Sequence, residues 1–144
     1  MIVVADTSGI IAASDRNAPE SAACQGILQD AGTVVLSPMV LTEVDHLAKA
    51  RFGSQARTTI IGFIVDQVRR SRFQIPETGL ETLTAARLVQ RQYAGLDLDL
   101  ADAVNVVLAG RYRTDAVLTL DRRDFRAISP LTPHQWFRLL PDDL

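Results

Sequence analysis

LDLDLADAVNVVLAGRYRTDAVLTLDRRDF, residues 96–125, decides how the chain folds: an Asp-bearing turn, an apolar helix, a short polar break, and an apolar strand that stops at another Asp. Asp99 is placed as an N-cap, because a short carboxylate accepts hydrogen bonds from the unpaired amides of a first helical turn, and Asp102 then falls three residues into the helix. From Ala101 to Ala109 the segment is apolar nearly all round apart from Asp102 and Asn105, which predicts a helix buried on most sides. Ala116 to Leu120, AVLTL, reads as a buried strand with Asp121 where the chain leaves it. In an α/β sheet, ligands gather beyond the carboxyl ends of the strands. Two rigid elements thus deliver two acids to one edge.

Working outward, Ile2 to Ala5 is a β-branched apolar run of a buried parallel strand's length, and Asp6-Thr7-Ser8-Gly9 ends it, so Asp6 also stands at a strand's carboxyl end. Glu20 to Ala31 reads as a helix with Ala23, Ile27 and Leu28 inward and Gly32 as its stop. Thr33 to Leu36 is a second strand. Ser37 then caps a helix with Pro38 at its first position; it runs to Phe52 on Val40, Leu41, Val44, Leu47 and Ala48, with Glu43 in its second turn. Gly53-Ser54 separates it from Gln55 to Arg70, whose stripe is Ile60, Ile61, Ile64, Val65 and Val68, and the tight link predicts an antiparallel hairpin. Phe73 to Ile75 is a weak strand, and Thr78 to Tyr93 a helix through Leu80, Leu83, Ala86, Leu88 and Val89. Past Phe125 an edge strand is expected at Trp136 to Leu140, with a loose tail from Pro141. Parallel strands need helical crossovers, so this order predicts a parallel α/β sandwich, and right-handed crossovers put Asp6 and Asp121 on the same side of it.

A chain of 144 residues fits one domain, 1–144, and its composition is that of an ordinary globular protein. No segment has the apolar length of a membrane span. The start, MIVVADTSG, reads as neither signal peptide nor anchor, which makes a cytoplasmic location the expectation. Cys24 is the only cysteine and the two histidines are far apart, so any metal must be one that takes oxygen ligands. The net charge of −2 does not suggest a nucleic-acid coat protein, yet Arg111, Arg113, Arg122, Arg123, Arg126 and Arg138 outnumber Asp115, Asp121 and Asp124 in the tail half. Arg111, Arg113, Arg122 and Arg123 either solvate the surface or hold the phosphates of a polyanion beside the acidic site.

The candidate acids are Asp6, Glu43, Asp102 and Asp121, with Asp99 a fifth. Carboxylates gathered within about 4 Å repel by about 4 kcal/mol per pair at an effective dielectric near 20, so a cluster calls for a counter-charge. Magnesium or manganese supplies it through oxygen ligands and activates water for phosphodiester hydrolysis. His46, three residues after Glu43, lacks the second Glu-x-x-His pair of a di-metal bundle and reads as structural or solvent-facing; His134 reads as a loop residue. Asp124 is expected to be exposed or to pair with Arg122 or Arg126, and Cys24 and Trp136 to pack.

Asp6 in VVADTSG, Glu43 in SPMVLTEVDHL, Asp102 in LADAVNVVLAGRY and Asp121 in VLTLDRRDF resemble, in order and context, the four acidic motifs of PIN domains, most closely the VapC-type toxins of toxin–antitoxin pairs. The resemblance runs from the first strand to about Pro130. It implies a PIN-like three-layer α/β/α sandwich with a short central parallel sheet. It also implies an endoribonuclease dependent on Mg²⁺ or Mn²⁺ that cleaves structured RNA such as a tRNA or ribosomal RNA loop, usually a homodimer and silenced by a VapB-type antitoxin. Carried over, Asp6, Glu43, Asp102 and Asp121 are catalytic metal ligands, directly or through water, and the Thr7, Ser8 and Thr119 hydroxyls orient them. Asp99 is a cap first and a supporting acid second. A catalytically inactive PIN-like RNA-binding or interaction module is the alternative. Receiver and haloacid-dehalogenase phosphotransfer domains also place an Asp after strand one, but the first expects an acidic pair there and the second an Asp where Ser8 stands.

Overall fold

Ile2–Ala5 forms β1, the central strand of a five-stranded sheet in the computed structural model, which describes residues 1–144. The chain then makes α1 (Thr7–Ser14), α2 (Ser21–Asp30), β2 (Thr33–Val35), α3 (Pro38–Phe52), α4 (Ser54–Arg69), β3 (Phe73–Gln74), α5 (Leu80–Gln92), α6 (Leu100–Arg111), β4 (Ala116–Leu118), α7 (Arg122–Ala127) and β5 (Arg138–Leu140). The strands lie in the order β3-β2-β1-β4-β5, and every pairing is parallel. The order reverses at β1, with β2 on one side and β4 on the other. That crevice is where an α/β sheet offers a binding site.

Strand periodicity divides the core into two layers. Val3, Ala5, Val34, Phe73, Ala116 and Leu118 face one side and pack with Ile10, Cys24, Ile27, Val44 and Ile64 of the first four helices. Their neighbours Val4, Val35, Val117 and Leu139 point the other way, against Ala86 and Val89 of α5 and the apolar length of α6. The result is the expected three-layer α/β/α sandwich with a short parallel sheet. Ser37 caps α3 as anticipated, its hydroxyl accepting from the Met39 N–H at 3.1 Å. Gly53, at φ 93°, makes the link to α4 that a residue with a side chain would resist. No helix is long and apolar enough to cross a membrane.

Several expectations need correction. Asp6 ends the first strand as expected, but the helix α1 that begins at Thr7 has no counterpart in the expected elements, and Gly9 within it serves close approach rather than breaking the chain. A Cβ there would lie 2.6 Å from Leu118 Cγ and 2.7 Å from the Leu118 carbonyl oxygen. In α2 Ile27 and Leu28 face inward as expected, but Cys24 joins them in place of Ala23, which is exposed. In α5 the buried positions are Thr82, Ala86 and Val89, while Leu80 and Leu88 face solvent. Trp136 is 64% exposed and packs little. The tail is tied down: Asp143 accepts two hydrogen bonds from Arg126 and one from the Leu139 N–H, and Asp142 pairs with Arg122.

Candidate active site

The carboxyl ends of β1 and β4 lie side by side, and a hydroxyl network joins them. The Asp6 N–H donates to the Leu118 carbonyl at 2.9 Å, which fixes the residue at the sheet edge. Thr119 Oγ1 donates to Asp6 Oδ2 at 2.8 Å, and Ser8 Oγ to the same oxygen at 3.3 Å. The two hydroxyls in turn accept the backbone N–H groups of Asp121 and Leu120, both at 2.9 Å. On its other side Asp6 Oδ1 accepts from Asn105 Nδ2 at 3.4 Å. Asp6 is therefore 6% exposed yet bonded at both oxygens.

Asp102 reaches the site from the first turn of α6, whose start is fixed by its own N–H donating to Asp99 Oδ1 at 2.8 Å. The capping role assigned to Asp99 is thus met. Glu43 comes from the second turn of α3. Asp6, Thr7, Ser8, Glu43, Asp99, Asp102 and Asp121 all line one cleft of ≈ 390 Å³. Four segments far apart in the chain supply those acids. Asp102, Asp121 and Asp124 can each place one carboxylate oxygen within 4.8 Å of the others.

The electrostatics follow from the crowding. Burial pushes the Asp102 carboxyl up to about 8, and Asp6, Asp99, Asp121 and Asp124 add to the rise. Burial also raises Asp6, although Thr119, the Thr7 backbone and Ser8 pull it back. Glu43 is raised by burial and then by Asp99 and Asp6. The Thr7 hydroxyl that lines the cleft with it is buried and makes no hydrogen bond. Asp121 is raised by burial, Asp124 and Asp99, with Arg123 opposing. A divalent cation fits this donor set: all oxygen, negatively charged, and containing a buried hydroxyl without a partner.

The arginines are arranged differently from expectation. Arg111 and Arg113 lie at the far end of α6, and Arg111 stands about 13 Å along the helix from Asp102 at 1.5 Å per residue. There Arg111 donates to Thr82 Oγ1 at 2.6 Å, so neither residue flanks the acids. Arg122 is bound to Asp142, and Arg123 stays exposed near Asp121. Asp124 makes no salt bridge with Arg122 or Arg126, because both are taken by the tail, and it turns toward Asp102 and Asp121 instead. Two residues were passed over. Asn105 lies one turn beyond Asp102, and a lone amide in an apolar helix was its signal. Arg51 lines the cleft eight residues after Glu43, and only the orientation of α3 across the cleft brings it there.

The PIN domain family model matches residues 3–130. The chain is 33% identical over 130 residues to Ribonuclease VapC26 of Mycobacterium tuberculosis, covering 90% of this chain and 93% of that protein. Among solved structures, VapC20 of M. tuberculosis, a toxin that cleaves the sarcin–ricin loop, matches with a TM-score of 0.70 at 16% identity, over 83% of this chain and 89% of that one. VapBC2 from Rickettsia felis, bound to a promoter DNA fragment, matches with a TM-score of 0.68 at 14% identity, over 94% and 99%. A toxin–antitoxin complex from Klebsiella pneumoniae gives 0.60 at 20% identity, over 94% and 98%. At these identities the structural likeness is one of fold.

Proposed function

We propose, from the premise that this chain belongs to the PIN domain family and within it to the VapC ribonucleases, that it is the toxin of a toxin–antitoxin pair and cleaves structured RNA with a divalent cation. The observation that carries this reading is the convergence of Asp6, Glu43, Asp102 and Asp121 on one cleft at the switch point of the sheet. Asp6, Asp102 and Asp121 are the residues suited to hold Mg²⁺, with Mn²⁺ an alternative. The bound cation supplies charge neutralisation and polarises water and phosphate oxygens. Asp6 needs no rearrangement to serve, since Thr119, Ser8 and Asn105 already fix its carboxylate. Glu43 lines the same cleft from α3, where its carboxylate would hold a cation-bound water or a second cation. Single-stranded loops suit the open cleft, because their bases and phosphates splay where a duplex would not bend.

The partner in this reading is a VapB-type antitoxin, in keeping with the assemblies formed by the matched structures. A homodimer is also part of it. Only Ile64 of α4 is buried, while Phe63 is 51% and Val65 40% exposed, which leaves apolar surface on the α3 and α4 side for a second copy. The test is cleavage of an RNA hairpin by chain freed of antitoxin, with and without chelator. Cleavage abolished by chelator and restored by Mg²⁺ is expected. Absence of cleavage with either cation would leave the non-catalytic module as the better description, and chelator-resistant cleavage would remove the metal from the proposal. Asp6→Ala should stay folded and lose cleavage.

A further inference from the structure

The cleft is lined by six carboxylates, those of Asp6, Asp15, Glu43, Asp99, Asp102 and Asp121, and by a single cationic side chain, Arg51. That imbalance poses a problem for a polyanionic substrate, because phosphates beyond the reach of a bound cation meet an acidic wall. Seven of the other thirteen arginines are already committed, and none of the remaining six lines the cleft. Arg57, Arg70, Arg122, Arg126 and Arg138 are in ion pairs, and Arg72 and Arg111 donate to fixed oxygens. Arg51 has neither kind of bond, although it shares its cleft with six acids, and it is exposed.

Glu43, Leu47 and Arg51 all line the cleft from α3, at steps of one helical turn. At 1.5 Å per residue the guanidinium's backbone lies about 12 Å along the helix from that of Glu43. It therefore stands two turns along the α3 wall from Glu43, placed to meet another phosphate of the same strand. An arginine serves such a contact better than a lysine, since its planar fork gives two parallel charge-assisted hydrogen bonds to one phosphate. A position in the last turn of α3 also favours a cation through the helix dipole, but a lysine would satisfy that equally.

We propose that Arg51 is a positioning residue that grips a phosphate of the RNA strand next to the scissile one and so fixes the strand's register in the cleft. This rests on the ribonuclease reading. The experiment is steady-state cleavage of a synthetic RNA hairpin by wild type, Arg51→Ala and Arg51→Lys over a series of salt concentrations, with Mg²⁺ affinity and thermal unfolding measured on the same samples. Arg51→Ala should raise KM about tenfold with kcat nearly unchanged, in line with the loss of a charged hydrogen bond. The slope of log KM against log salt should fall by about 0.7, the value of one phosphate contact on a single strand. Arg51→Lys should recover the salt slope but only part of the KM. Mg²⁺ affinity and melting temperature should not move. Unchanged KM and slope in Arg51→Ala, while wild type cleaves, overturn the proposal, as does a KM change that follows altered Mg²⁺ affinity. A wild type that does not cleave overturns the ribonuclease reading itself.

Discussion

Asp102→Asn should make the cation-free protein more stable, and by more at about pH 8 than at about pH 4. The Asp102 carboxyl is raised from the ordinary 3.8 to about 8, first by burial and then by Asp6, Asp99, Asp121 and Asp124. Between those values the folded chain keeps a proton that the unfolded chain has released. Stability contributed by that proton is present below the unfolded value, falls as pH rises through the window, and is gone above about 8. At about 1.36 kcal/mol per unit, four units set a ceiling of about 5–6 kcal/mol, and screening from the open side of the cleft lowers the expected effect to about 2–3 kcal/mol. Asparagine cannot ionise, and the residue's backbone N–H can still bond to Asp99. The raised carboxyls of Asp6, Glu43 and Asp121 give slopes of the same sign in both proteins, so the difference between the two reports Asp102 together with its repulsion of these neighbours. Urea denaturation in chelator across this range is the assay, repeated with saturating Mg²⁺. The cation should restore about 2.7 kcal/mol to wild type at a hundred times its Kd and much less to the variant. Parallel pH profiles in chelator, or equal stabilisation of both by Mg²⁺, would refute the reasoning.

Two further outcomes follow from the geometry around the site. Gly9→Ala should cost about 1–3 kcal/mol and reduce cleavage together, because the new methyl group would press on the Leu118 backbone beside the strand ends that carry Asp6 and Asp121; a variant as stable as wild type by urea denaturation would contradict the close contact. Asp143, held down to about 2 chiefly by Arg126, contributes stability that is present above the ordinary carboxyl range and lost as pH falls through about 2. Asp143→Ala should therefore speed hydrogen exchange at the Leu139 amide at neutral pH, and unchanged protection there would show that the tail is not what secures β5.

What could be read from residues alone was what depends on near neighbours. The Asp99 cap and Asp102 are set three residues apart by one helical turn, and the runs IVVA and AVL are strands because β-branched apolar residues have little else to do in so short a stretch. Features fixed by distant partners were not legible. Gly9 looks like punctuation until Leu118 is known to lie against it. Leu80 and Leu88 look like core residues by hydrophobicity, but the buried face of α5, which packs on α6, is set by Thr82, Ala86 and Val89. Asp142 and Asp143 resemble a frayed end, and only the short helix α7, which places Arg122 and Arg126 above them, turns them into an anchor. The acids of the cleft were recognisable as a set, whereas Arg51 was not, since its meaning depends on which way α3 faces across the cleft.

Asp6 and Asp102 are both buried acids, yet they are supported in opposite ways. Asp6 accepts from two hydroxyls and an amide, so its charge is partly solvated by the protein before any ligand arrives. Asp102 has no hydrogen bond to its carboxylate, and its strongest neighbours are other acids. A neutral residue such as alanine or asparagine in this first-turn position would leave the Asp99 cap in place, without the repulsion. A carboxylate kept there at a cost to stability makes sense only if something at the cleft repays it. The same burial that disfavours the charge in the free protein strengthens its attraction to a cation, because both act through the low local dielectric. On this argument Asp6, already fixed by the protein, would set where a cation sits and Asp102 how strongly it is held, and the two substitutions should separate: Asp6→Asn keeping the fold and losing cleavage, Asp102→Asn chiefly weakening cation affinity.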